Sequence, residues 1–91
     1  MSADDQLAIL RLLSVYATAL DTLALGRLAE VFTPDARLEM GGRVMDLAGY
    51  RAMCEVNLAA LDATQHVVTN PEIVLDGDTA TCRSYYTAQH A

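Results

Sequence analysis

The sequence predicts an α+β domain in which helices lie on one curved antiparallel sheet. Three observations point there. An amphipathic run covers residues 4 to 20, and a second helical stripe covers about 47 to 61. Two long alternating stretches then meet at Asp76-Gly77-Asp78-Thr79, a strong turn signal. The 91 residues make a single domain, 1–91.

In the first helix Ile9, Leu13, Tyr16 and Leu20 recur at helical spacing, with Leu10 and Ala17 beside them. Ser2, Asp4 and Asp5 are alternative caps for its start. The periodicity slips at Asp21-Thr22. A short second helix follows from about Leu23 to Phe32, and Thr33-Pro34-Asp35 ends it. Leu38 and Met40 alternate with Arg37 and Glu39 ahead of Gly41-Gly42, which supplies positive φ for a tight hairpin. Asp46 is placed to cap the third helix, whose stripe is Leu47, Tyr50, Cys54, Leu58 and Leu61. Gly49 weakens that helix by about 1 kcal/mol relative to alanine. In the last strand Ala80, Cys82, Ser84, Tyr86, Ala88 and His90 share one face, and Thr81, Arg83, Tyr85, Thr87 and Gln89 the other. The first set is smaller and less charged, so it is expected to face inward.

Composition excludes several functions. The chain carries twelve acids against six bases, for a net charge of −6, and every base is arginine. Without lysine there is no Schiff-base chemistry. The negative charge and the absence of a basic stripe argue against nucleic acid. No apolar run approaches the roughly 20 residues that cross a bilayer, and the start "MSADDQ" has acids where a signal peptide needs a basic flank. A cytoplasmic protein without membrane contact is the expectation. Cys54 and Cys82 stand in no metal or redox spacing and are expected as small core residues without a disulfide. Gly-rich phosphate loops, G-x-S-x-G and H-E-x-x-H are absent.

The chemistry-bearing residues cluster at the ends of the long hairpin. His66 heads the stretch "TQHVVTN", and His90 closes the final strand. Whether they meet depends on register. If Gly77, Asp78 and Thr79 form a three-residue loop, His66 faces His90 directly. A loop of Asp76, Gly77 and Asp78 leaves them diagonal on one face, and a two-residue loop separates them. Pro71, which cannot donate to the ladder, complicates the count as a bulge or edge marker.

Tyr16 and Asp21 flank the buried stripe of the first helix, where polar tips reach a cavity edge. A carboxylate beside an imidazole favours the charged ring and orients it. On spacing alone, structural roles are favoured throughout. Asp21 caps the second helix, Tyr16 is a core tyrosine, His66 is structural, His90 belongs to a frayed end, and Asn70 before Pro71 is turn chemistry.

The segments "LLSVYATALD", "VFTPDARLEM" and "TQHVVTNPEIVLDGDTATCRSYYTAQH" together resemble the SnoaL-like branch of the NTF2-like superfamily, which includes scytalone dehydratase and the bile-acid 7α-dehydratases. Y-x4-D, F-T-P-D, Q-H-x3-N and D-G-D-T-A carry the likeness in order and spacing. The resemblance implies a cone, with the sheet wrapped around the helices and a pocket at its wide end. It implies that His66 is a base, Asp21 its carboxylate partner, Tyr16 an acid or oxyanion donor, and His90 a second histidine of the site. Tyr50, Tyr86 and Asn70 are expected to contact substrate. The family normally continues through further strands, whereas this sequence stops just after His90, so a shortened cone is expected.

The implied activity is that of a dehydratase or isomerase. It would abstract a proton beside a carbonyl of a small, cyclic, apolar substrate, with no cofactor and no metal. The alternative is a non-catalytic ligand-binding or dimerisation module of the same fold. A weaker one is an accessory subunit like the small subunit of ring-hydroxylating oxygenases, working beside a large iron-bearing partner. Family members commonly pair through the outer sheet face, which implies a homodimer.

Overall fold

The computed structural model describes residues 3–59, 61 and 63–90, with His90 described by its backbone. Helix α1 runs Ala3–Asp21. It ends in Thr22, whose N–H reaches the Thr18 carbonyl, and in Leu23, which adopts φ 57. This left-handed position is usually glycine's, because a side chain there costs about 1–2 kcal/mol. The chain next forms a 3₁₀ segment, Leu25–Glu30. The sequence suggests a longer helix here. A brief 3₁₀ turn suffices to bury Leu25 and Leu28, and Gly26 gives little support to a longer one.

Strands β1 (Leu38–Met40) and β2 (Arg43–Met45) form the expected small hairpin. Its turn uses Gly41 and Gly42 at φ 55 and 82, the pair of positive angles that a two-residue turn demands. Helix α2 (Leu47–Ala59) follows, and Asp46 Oδ1 accepts the Gly49 N–H at 2.8 Å as its cap. The stripe Tyr50, Cys54 and Leu58 is buried as its spacing requires.

Strands β3 (Thr64–Asp76) and β4 (Thr79–His90) make the long antiparallel hairpin. The class is α+β as expected. The described strands form two separate two-stranded sheets, β1–β2 and β3–β4. The turn of the long hairpin is two residues, Gly77-Asp78, with Asp76 opposite Thr79. That register alone would put His66 and His90 on opposite faces. A bulge corrects it: Asn70, at φ 56, and Pro71 together oppose Ser84. Beyond the bulge His66 pairs with Ala88 and Thr64 with His90. The two histidines are diagonal on one face of the ladder, not directly opposed.

The core gathers at the C-terminal end of α1. Ala19 and Leu20 meet Leu25, Leu28, Tyr50, Cys54 and Leu58, with Tyr16, Phe32 and Leu38 packed around them. The expectation that both cysteines are core residues holds for Cys54 only. Cys82 is exposed and both thiols are free; α1 packs mainly on β3. Among the described residues, no helix is long and apolar enough to cross a membrane.

Candidate active site

The last residue of α1 and the third of β3 form the centre of the site. Asp21 Oδ1 lies 2.6 Å from His66 Nδ1. The same carboxylate accepts the His66 backbone N–H at 3.0 and 3.1 Å through its two oxygens, and the Thr64 hydroxyl at 3.1 Å. Four contacts therefore converge on one acid. They fix both the ring and the strand that carries it. The Asp21 side chain does not cap the 3₁₀ segment, whose first position is Ala24 with no side-chain bond. Helical spacing alone had favoured that cap. The carboxylate turns to β3 instead, where the His66 N–H, the His66 ring and the Thr64 hydroxyl all bond to it.

Burial by itself would raise the pKa of Asp21. The bonds from the His66 ring, the His66 N–H and the Thr64 hydroxyl outweigh it and hold the carboxyl below its ordinary 3.8. Asp21 is thus ionised at neutral pH and can only accept. Nδ1 must then carry the proton, and in the neutral ring the lone pair resides on Nε2. The ring is nearly enclosed, with 3 % of its side chain exposed.

Aromatic groups extend this centre. Tyr86 lies over the His66 ring with centroids 5.5 Å apart, and 6.4 Å from Tyr16. Tyr16 meets Phe32 edge-on at 6.0 Å, and its hydroxyl bonds that of Tyr50 at 2.5 Å. Burial is the leading cause that raises the Tyr16, Tyr50 and Tyr86 phenols above their usual value. All three are neutral donors at physiological pH. Two cavities open beside them. One, of about 210 Å³, is lined by His66 with Met40, Met53, Cys54 and the rings of Tyr50 and Tyr86. The other, of about 270 Å³, is lined by Tyr16, Leu38, Glu39, Met40 and the same two tyrosines.

The structure therefore brings Asp21, His66, Tyr16, Tyr50 and Tyr86 together. Asn70 is separated from them. It is exposed, forms the bulge and lines neither cavity, so its expected contact with substrate is replaced by a backbone role. The β4 backbone carries His90 two positions beyond Ala88 on the same face of the ladder, and the expected role of its side chain lies outside the described residues. Sequence reasoning missed Thr64. The signal was the alternation in "TQH", which places Thr64 on the face of His66. It also missed Met40, whose side of the small hairpin turns toward the tyrosines.

A family model described as a SnoaL-like domain matches residues 1–91. No curated protein matches the chain. Among solved structures, the Kfla4162 protein from Kribbella flavida superposes with a TM-score of 0.86 at 24% identity, over 96% of this chain and 64% of its own. A candidate aromatic ring hydroxylase from Novosphingobium aromaticivorans superposes with a TM-score of 0.85 at 31% identity, over 99% of this chain and 67% of its own. This chain thus spans 64% of the length of the first and 67% of the second. The first likeness speaks for the fold alone.

Proposed function

As the chain belongs to the SnoaL-like domain family of the NTF2-like superfamily, we propose that it is a dehydratase or isomerase acting on a small, cyclic, apolar substrate that bears a carbonyl. The observation that carries this reading is the 2.6 Å contact between Asp21 and His66 beside an apolar cavity. The Nε2 lone pair takes the proton α to the carbonyl, and Asp21 stabilises the imidazolium that results. The electron pair moves onto the carbonyl oxygen, where the Tyr16 phenol, braced by Tyr50, donates a hydrogen bond to the enolate. The His66 imidazolium then returns its proton, either to the γ-carbon of a dienolate, which shifts the double bond, or to the departing β-hydroxyl, which leaves as water. The description of the Novosphingobium protein agrees with a cyclic substrate.

A second reading, a ligand-binding module with the same pocket, is favoured by one observation. Tyr86, which covers the imidazole, is itself 50% exposed, so water reaches the edge of the site. One experiment separates the two. In deuterium oxide with cyclic β-hydroxyketones, the enzyme is expected to exchange the α-proton or to release the enone. His66→Ala should slow that by about 10²–10⁴-fold. Exchange at the same rate in parent and His66→Ala proteins removes the enzyme reading, and ligand binding without exchange in the parent selects the module.

A further inference from the structure

Base and phenol open onto different cavities. His66 lines the one of about 210 Å³ and Tyr16 the one of about 270 Å³. Three residues belong to both linings, Met40, Tyr50 and Tyr86, and they form the partition. Two of the three are held in place. Tyr50 is 3% exposed and bonded to Tyr16, and the Tyr86 ring, though half exposed, packs against both the His66 and the Tyr16 rings. Met40 is the movable member. It is 47% exposed, ends a three-residue strand and abuts the Gly41-Gly42 turn. Its unbranched side chain has three rotatable bonds and adapts readily to a neighbour's shape.

We infer that Met40 is the size-determining residue of the site, the wall that sets how far a ligand beside His66 extends toward Tyr16. The inference rests on the proposed function, in which both groups serve one substrate. Such a substrate must cross the partition, and of its three members Met40 is the one able to swing aside. Ligands confined to one ring stay on one side, touch residue 40 only as one part of a wall and respond little to its length. Ligands long enough to bridge both cavities depend on it.

Phenol and 2-naphthol serve as rulers, since each is planar and presents an oxygen as an enolate does. Their dissociation constants are measured with the parent, Met40→Ala, Met40→Ile and Tyr16→Phe proteins, each first checked for an unchanged circular dichroism spectrum. Met40→Ala removes the wall and should tighten 2-naphthol about tenfold while leaving phenol within about twofold. Met40→Ile puts a stiff β-branched wall in its place and should weaken 2-naphthol about tenfold, again sparing phenol. Equal changes for the two rulers, or no change for either, overturn the assignment of Met40. The Tyr16→Phe protein tests the underlying reading separately. If 2-naphthol binds it as tightly as it binds the parent, or binds neither, the site proposed for catalysis is wrong and the inference falls with it. Loss on Tyr16→Phe combined with indifference to residue 40 overturns the size assignment alone.

Discussion

At the two ends of the contact between α1 and β3, the same two elements build different things. Near the N-terminus of α1, Asp5, Ala8 and Ile9 face Leu75 and the Gly77-Asp78 turn across a cavity of about 380 Å³. Near its C-terminus, Asp21 meets His66 beside a cavity of about 210 Å³. The larger cavity is the poorer candidate. Ala19 and Leu20, both at the C-terminal end, are the buried residues of α1, so the dyad end has a packed wall and the turn end lies open. Acids are present at both. A carboxylate becomes useful when several donors converge on it and water is displaced around it, because hydrogen bonds and charges then act at low dielectric. Donors converging on Asp21 beside a packed wall, more than cavity volume, mark the site.

The comparison is broken most strongly by removing the packing at one end. Leu20 is 2% exposed and Leu7 55%, although both are leucines of the same helix. Leu20→Ala should destabilise the protein by about 2–5 kcal/mol through lost burial and a cavity. Leu7→Ala should change stability by no more than about 0.5 kcal/mol. Urea midpoints with unchanged slopes would read this directly. Equal losses at the two positions would mean that the helix is stabilised along its whole length, and that the contrast between its ends is not energetic.

The legibility of the molecule in its sequence follows the same division. Helical periodicity is local, so α1, α2 and the stripe Tyr50, Cys54, Leu58 were readable from spacing. The Gly41-Gly42 turn and the Asp46 cap were readable for the same reason. Register was not. The two-residue turn at Gly77-Asp78 shifts the ladder by one place, and the bulge at Asn70-Pro71 shifts it back. Each follows from local chemistry, but their sum decides which face His66 occupies, and a pattern of alternating residues does not reveal such a cancellation. The Asp21–His66 pairing was legible only through family resemblance, because spacing alone favoured a helix cap. The bond between Tyr16 and Tyr50 joins residues of different helices, and no pattern within either helix announces it.

The convergence on Asp21 can be sharpened by acid. Asp21→Ala leaves the His66 N–H and the Thr64 hydroxyl without their acceptor, at a cost of about 1–3 kcal/mol. The sign of the pH dependence follows from the folded carboxyl lying below its ordinary 3.8. The stabilisation that Asp21 contributes is complete above the unfolded value and is lost as pH falls from there through the lower folded value. Parent and Asp21→Ala proteins should therefore differ fully at neutral pH and converge as the solution is acidified below that range. Denaturation midpoints measured down the acid limb check it. A gap that stays constant through the acid limb would show that the carboxylate charge contributes nothing to holding β3 on α1.

The smallest effect concerns the joint that aims Asp21. Leu23 takes φ 57 two residues after it, is 49% exposed and is not among the buried core residues. Half exposed, the side chain offsets only part of the cost of a left-handed leucine through burial, and the position lets the chain turn sharply from α1 into the 3₁₀ segment. Leu23→Gly removes the steric penalty of the side chain, worth about 1–2 kcal/mol, but enlarges the freedom of the unfolded chain by about 0.4–1 kcal/mol. The net expectation is a gain of about 0.5–1 kcal/mol, seen as a Tm rise of roughly 2–8 °C for a domain of this size. The dyad should be undisturbed, since the glycine adopts the same backbone angles. A fall in Tm would instead show that the Leu23 side chain contributes more through contact than it costs in strain. The joint would then be held by packing, and the direction of the Asp21 carboxylate would depend on residues outside the helix that carries it.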